Sequence, residues 1–304
     1  MADADLPEGH RSGFVAVGGR PSVGKSTLIN AFLGQTVAPV SPRPQTTRRR
    51  QLGILTLPEA QVIFVDTPGI HQPRHKLGEG MNAAAEQAFH DADVLLAIFD
   101  LTHPPTPEDE RVAQTIRALR PPPPTLMALN KLDATPPGRL TNRRAAFRSL
   151  LPEAEVFPIS AARGDGRDEL LVRIIALLPL GPRYFPEDDI TDSYEREIAA
   201  DLVRAAAMRL LHDEVPHGIF VQVDEFKERN GGGAYIAATL FVERESHKGI
   251  VIGKGGAMLR EIGTEARKEI EAMSGRKVFL EIRVKVQAGW RDDERALKRF
   301  GFKP

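Results

Sequence analysis

Eight residues near the start of the chain, Gly19-Arg20-Pro21-Ser22-Val23-Gly24-Lys25-Ser26, have the spacing G-x-x-x-x-G-K-S. A loop of this kind, following an apolar run and opening a helix, turns successive backbone N–H groups toward a phosphate. The apolar run FVAV (14–17) and the helical stretch STLINAFLG (26–34) supply that context. Gly19, Arg20, Pro21, Ser22, Val23, Gly24, Lys25, Ser26 and Thr27 are therefore the candidate phosphate-binding residues. Lys25 would bridge β- and γ-phosphates and act as the catalytic cation, and the Ser26 hydroxyl would ligate Mg²⁺.

Three shorter motifs follow at the ends of apolar runs. In DTPG (66–69), Asp66 can hold Mg²⁺ through water and the Gly69 N–H can reach a γ-phosphate. In NKLD (130–133), the Asp133 carboxylate can accept both the ring N–H and the exocyclic amino group of guanine. Adenine has an acceptor at the ring position and no amino group beside it, so it would leave that carboxylate unpaired. Lys131 would lie along the base and Asn130 would tie the loops together. In SAA (160–162), Ser160 would support the loop and the Ala161 N–H would face the guanine O6. The set reads as a site for GTP or GDP with Mg²⁺.

Between the first two motifs lies SPRPQTTRRR (41–50), in which Thr46 or Thr47 could complete the Mg²⁺ shell when a γ-phosphate is present. Thr47 is favoured, both as metal ligand and as a catalytic residue, and the loop would then order with GTP and relax after hydrolysis. Arg48, Arg49 and Arg50 fit a transition-state charge, a solvated strand edge or an RNA contact. Ras-like enzymes place a water-orienting Gln where this chain has Ile70, which can neither donate nor accept a hydrogen bond. Slow intrinsic hydrolysis is expected, with His71 a secondary candidate base. His71 and His75 have no third ligand in view and are not read as a metal site.

A second glycine-rich segment, VIGKGG (251–256), has the spacing G-x-x-G. It is two residues shorter than a nucleotide phosphate loop, and no Ser or Thr follows its lysine. The elements around the two loops differ. Across residues 1–180, buried apolar runs alternate with amphipathic stretches, which predicts a mostly parallel sheet with helices on both faces. LGILTL (52–57) and VIFVD (62–66) are so close in sequence that an antiparallel hairpin is expected. PLGPRYFPEDD (179–189) reads as a connection, placed at 181–190. Residues 191–304 then read as helix (191–213), hairpin through NGGG, glycine loop, helix and strand.

Lys+Arg and Asp+Glu both number 41, so no global basic signature marks a nucleic-acid binder. Locally, residues 217–304 carry 17 basic against 13 acidic residues, while 183–216 carry 4 against 9. The absence of cysteine excludes disulfides and thiolate metal sites. The first residues lack the pattern of a signal peptide, and no apolar run approaches the ~20 residues of a membrane span. A soluble cytoplasmic protein is expected.

GRPSVGKST, PQTTRRR, DTPGIHQPRHKLGEGMN, NKLD, EVPHGI, VIGKGG and GWRDDERALKRFGF together resemble the bacterial Era family of GTPases, from about residue 12 to the end. The resemblance implies an α/β P-loop GTPase domain (1–180) followed by an α+β type II KH domain (191–304) that binds single-stranded RNA. It implies action in assembly of the small (30S) ribosomal subunit, at the 3′ end of its rRNA, with nucleotide state gating RNA engagement. Lys248, Val251, Ile252, Gly253, Lys254, Gly255, Gly256 and Arg260 are the implied RNA-binding residues, with Arg283 on the rim. The alternative is an RNA-binding module whose GTPase domain binds GTP but turns over negligibly alone. A monomer is expected, and peripheral contact with the inner face of the membrane stays open. The family carries Asn where this chain has Ser22, and that Asn supports a potassium ion in related GTPases, so K⁺ activation is in question.

Overall fold

The computed structural model describes residues 6–35, 47–191, 195–229 and 232–302. Two compact units divide the chain between Asp192 and Ser193, with Arg74–Gly80 grouped with the second. The first unit holds a six-stranded sheet in the order β2-β3-β1-β4-β5-β6. Its strands are β1 (Arg11–Gly18), β2 (Gln51–Thr56), β3 (Ala60–Asp66), β4 (Val94–Asp100), β5 (Thr125–Asn130) and β6 (Glu155–Pro158). All neighbours are parallel except β2 and β3, which pair antiparallel as the short spacing predicts.

Every residue of β3 and β4 is buried, because both sheet faces are covered. On one face Val15, Val17, Phe64 and Ile98 pack with Leu28 and Ile29 of α1 (Lys25–Leu33) and Leu170 and Ile174 of α5 (Arg167–Leu177). On the other, Ala16, Leu95 and Phe99 meet Phe89 of α2 (Lys76–Asp91), Val112 of α3 (Pro107–Ala118) and Phe147 of α4 (Pro137–Arg148). Thr106 and Asp109 start α3 with a reciprocal capping box. Parallel strands bring the loops after β1, β3, β5 and β6 to one edge, where ligands bind in open α/β sheets. The segment 181–190 is pinned to the first unit. Gln61 donates to the Phe185 carbonyl (2.9 Å) and accepts from the Tyr184 N–H (2.8 Å), and the Ile54 N–H donates to the Ile190 carbonyl (2.8 Å).

In the second unit α6 (Glu195–Leu210) precedes β7 (Phe220–Arg229), β8 (Gly233–Val242), α7 (Glu245–Ile252), α8 (Ala257–Ser274), β9 (Val278–Val286) and α9 (Glu294–Arg299). The sheet order is β7-β8-β9, with β7 antiparallel and β9 parallel to β8. Ile262, Ala266 and Ile270 of α8, spaced four residues apart on one helix face, are buried against Ile236, Ala238 and Leu240. α7 corrects the sequence reading, which runs from hairpin straight to glycine loop. Gly249 and the β-branched Ile250, Val251 and Ile252 disfavour helix locally, but complete burial of Val251 in the core overrides that weak preference.

The C-terminal segment closes one end of this sheet's outer face. Trp290 is fully buried and its Nε1 donates to the Gly218 carbonyl (2.9 Å). Phe300 stacks on Phe220 with centroids 4.1 Å apart and also meets Phe241 and Trp290. Phe300→Ala should therefore lower the stability of the second unit by about 3–5 kcal/mol. Urea denaturation followed through the single tryptophan reads this directly; an unchanged midpoint would contradict the packing role.

Candidate functional site

The chain crosses from β1 into α1 through two glycines that only a left-handed backbone satisfies, Gly19 (φ 154°) and Gly24 (φ 104°). Gly24 is the N-cap of α1 and no side chain caps it, so the first helical N–H groups are left for a ligand. A Cβ on Gly69 would lie 2.5 Å from the Pro21 nitrogen, so glycine is what lets the DTPG loop lie against the phosphate loop. The Ile70 N–H donates to the Gly19 carbonyl (3.2 Å).

Three hydroxyl and carboxylate oxygens converge beside α1. Ser26 Oγ and Thr47 Oγ1 each donate to Asp66 Oδ2 at 2.8 Å and lie 3.1 Å from one another. All three residues are buried. Thr47 is thus the threonine brought to the site; Thr46 lies outside the described residues. Small, hard oxygen donors around one carboxylate suit Mg²⁺. Lys25 is buried beside them, with Nζ 3.1 Å from the Arg20 carbonyl and 3.3 Å from that of Gly19. Burial pushes its ammonium down to about 8, opposed by Asp66 and helped by Arg20.

Asn130 joins the loops. Its Nδ2 donates to the Val23 carbonyl (2.7 Å) and its Oδ1 accepts from the Ala161 N–H (2.9 Å). A Cβ on Gly24 would come within 2.3 Å of that amide nitrogen, a second reason for glycine there. Asp133 accepts from Ser160 Oγ (2.6 Å), which orients the carboxylate proposed to read the base. The Ala161 N–H, expected at the guanine O6, is already engaged by Asn130, so it must be shared to reach the base.

The second glycine loop begins at Gly253, where a Cβ would lie 2.8 Å from that of Met258. Gly253 therefore serves the loop's own packing, whereas Gly255 (φ 59°) and Gly256 (φ 80°) open onto free space. Gly256 is the N-cap of α8, again without a side-chain cap, and Lys254 is exposed next to it. A groove of about 400 Å³ leads away between α8 and β9, lined by Leu259, Arg260, Gly263, Arg267, Leu280 and Ile282.

The first unit matches the family described as "50S ribosome-binding GTPase" over residues 14–131, and the second matches the KH domain over 214–291. GTPase Era of Geobacter metallireducens is 46% identical, covering 96% of this chain and 98% of that protein. Its counterpart in Lacticaseibacillus paracasei is 42% identical over 96% and 97%. A crystal structure of Era in complex with MgGDPNP and nucleotides 1506–1542 of 16S ribosomal RNA superposes with a TM-score of 0.91 at 41% identity, covering 97% of this chain and 100% of that one. The chain belongs to the GTPase Era family. An Aquifex aeolicus Era variant bound to GDP·AlF₄⁻ gives the same TM-score, identity and coverage.

Within this Era-family chain several residues depart from their expected roles. The Arg20 side chain leaves the phosphate loop for Asp109 (3.2 Å) and Asp100 (3.4 Å). Lys131 also reaches Asp100 (2.7 Å). Burial alone would raise the Asp100 carboxyl, but Lys131 and the Thr102 hydroxyl and amide hold it below its ordinary value. Asp100 links the first and third motif loops and was missed; its signal was an acid ending a wholly apolar strand. Ile70 is buried in the core beneath the loop. His71 Nδ1 lies 2.9 Å from the Gly69 carbonyl, and His75, grouped with the second unit, pairs with Asp292 (2.8 Å). Lys248, Val251 and Ile252 lie on α7 rather than along the groove. Val251 is core, and Lys248 sits 3.9 Å from Glu245. Arg283 is on the outer sheet face, bonded to Glu281 (2.8 Å).

A bound phosphate would restore the Lys25 charge and raise its depressed pKa. Affinity that depends on this charge is complete below the free-state value of about 8 and falls as pH rises through it. GDP affinity should hold from pH 7 to 8 and then weaken, by up to about tenfold per pH unit. Equilibrium titration with a fluorescent GDP checks this; a flat profile to pH 9 would mean that Lys25 is charged throughout.

Proposed function

We propose that the chain binds GTP and GDP with Mg²⁺ between the 19–27, 66–69, 130–133 and 160–162 loops and hydrolyses GTP. We propose further that it engages the 3′ end of 16S rRNA through the 253–256 loop and the α8–β9 groove, in assembly of the small ribosomal subunit. The observation that carries this is the meeting of Ser26, Thr47 and Asp66 beside an uncapped helix N-terminus, in a chain that matches an MgGDPNP- and RNA-bound Era along its length. The Era complex contains small-subunit rRNA, which favours that subunit over the 50S named in the description shared by the first domain's family.

In this reading Ser26 and Thr47 hold Mg²⁺ directly and Asp66 holds it through water; the ion neutralises charge on the β- and γ-phosphate oxygens. N–H groups of the 22–26 backbone wrap the β-phosphate, Lys25 bridges it to the γ-phosphate, and the Gly69 N–H meets the γ-phosphate. Asp133 reads guanine and Lys131 lines the base. Thr47 makes the 41–50 loop sensitive to the γ-phosphate. Ile70, packed in the core, places no polar group near an attacking water, which supports slow intrinsic turnover. The same observation favours the second reading, GTP binding with negligible turnover alone, and a single-turnover assay separates them. Ser22 holds a left-handed backbone (φ 63°) that Asn tolerates better, and it lacks the carboxamide that would meet potassium, so turnover is proposed to be K⁺-independent.

Asp133→Asn should cost guanosine nucleotides at least about a hundredfold in affinity and favour xanthosine nucleotides, whose ring carries a carbonyl in place of the amino group. For the RNA site, anisotropy of a labelled 3′-terminal 16S fragment is measured with GDP and with a non-hydrolysable GTP analogue. Tighter binding with the analogue, lost in Gly255→Asp, is expected. The Gly255 position has open space for the added carboxylate, which would repel the RNA backbone, and Asp is among the residues that tolerate its left-handed φ of 59° best. Equal binding in both nucleotide states would remove the gating, and no binding in either would remove this RNA.

A further inference from the structure

The outer face of the β7–β8–β9 sheet is treated differently at its two ends. At one end Phe220 and Phe241 lie beneath Phe300, Phe302 and Trp290. At the other, Tyr235 and Phe279 are register partners on β8 and β9, their rings stacked 5.8 Å apart at 19°. No described element covers them, and Phe279 is 55% exposed. The Arg229 guanidinium lies 5.3 Å and 5.1 Å from the two ring centroids. Among the described residues Arg229 makes no ion pair with a carboxylate. Beside the rings a depression of about 530 Å³ is bordered by Arg229, Gly233, Gly275, Arg276, Lys277 and Phe279. Lys277 is 93% exposed in its side chain, 3.8 Å from Glu271.

We infer that this end of the sheet is a base-stacking platform for single-stranded RNA, an extension of the groove between α8 and β9. The inference rests on the RNA reading of that groove. Stacked rings with an unneutralised guanidinium against them match nucleotides in both parts: the ring faces take bases and Arg229 takes a phosphate between them, whereas Arg276 is already paired with Glu195 and Glu228. Placement supports this. Leu280 and Ile282 line the groove from one side of edge strand β9, and Phe279 stands on the opposite side of the same strand. The groove's end farthest from Gly256 is marked by Arg267 and Leu280, and Leu280 adjoins Phe279 in sequence. A strand leaving the groove there rounds the Gly275–Lys277 turn and meets the platform. Glu281 borders the groove as well as this face but is occupied, accepting from Tyr235 Oη (2.9 Å) and from Arg283 (2.8 Å).

A KH groove clamps about four nucleotides, so the platform adds affinity only to longer RNA. The test uses the full chain and a ladder of labelled 16S 3′-end fragments, from about four to about twelve nucleotides. Tyr235→Ala/Phe279→Ala should weaken the longest fragments by about tenfold or more for each stacked base lost and leave the shortest unchanged. Arg229→Gln, which leaves both rings in place, should lower the salt dependence of long-fragment binding by about one counterion. Gly255→Asp should weaken every fragment. Unchanged long-fragment binding in the double variant would overturn the platform while leaving the groove reading intact. Equal weakening of short and long fragments would also overturn it, as damage to the groove. Failure of wild-type protein to bind any fragment would take down the groove reading and the platform with it.

Discussion

The N–H groups at a helix start are open to a phosphate where no side chain caps them, and both proposed ligand sites of this chain depend on that constraint. α1 starts at Gly24 and α8 at Gly256; both glycines are left-handed, and neither helix has a side-chain cap or an acid in its first turn. α4, α5 and α7 also begin without a side-chain cap, but among the helices with a described N-cap only α1 and α8 join a left-handed glycine to a first turn free of acids; α3 and α9 are capped. Thr106 and Asp109 close the start of α3, and Asp293 accepts from two N–H groups at the start of α9. Having glycine in place of a side-chain cap costs only a few tenths of a kcal/mol. The sheets offset it: α1 hangs from β1 by a core of Leu28 and Ile29, and α8 is held by Ile262, Ala266 and Ile270.

The surroundings decide which phosphate each helix takes. At α1 the lysine is buried, a carboxylate sits among hydroxyls, and Asn130 clamps the base-reading loops against Val23. That enclosure suits a small, highly charged ligand with one base and one metal ion. At α8 the lysine is exposed, and the groove beyond is open and partly apolar, with Glu281 as its one carboxylate among the lining residues. A polymer with unstacked bases fits that shape, and a metal-bound triphosphate does not. Arg20 and Lys131, cations by sequence, converge on Asp100, so the nucleotide loops are braced to each other through a carboxylate before any ligand arrives.

Much of this was legible in the sequence, for physical reasons. The motif loops could be placed because glycine, lysine and aspartate at strand ends have few alternative uses, and the buried strands announced themselves as unbroken apolar runs. Thr47, which the sequence favours, lies beside Asp66, while Thr46 falls outside the described residues. Three things were hidden. α7 was hidden because its second half, Gly249 to Ile252, disfavours helix, and the burial of Val251 in the core depends on tertiary packing. The turn of Arg20 away from the phosphate loop depended on Asp100 and Asp109, some 80 residues distant along the chain. The pairing of Tyr235 with Phe279 needed the β8–β9 register, which no local pattern contains.

The central claim is that one chain holds two different phosphates on two uncapped helices. Hydrogen–deuterium exchange of the full chain, with MgGDPNP alone and with the 16S 3′-end RNA alone, tests it most directly. The account predicts that nucleotide protects residues 19–27, 66–70, 130–133 and 160–162, and that RNA protects 253–260 and 278–283. RNA protection centred on 19–27, or nucleotide protection centred on 253–260, would contradict it.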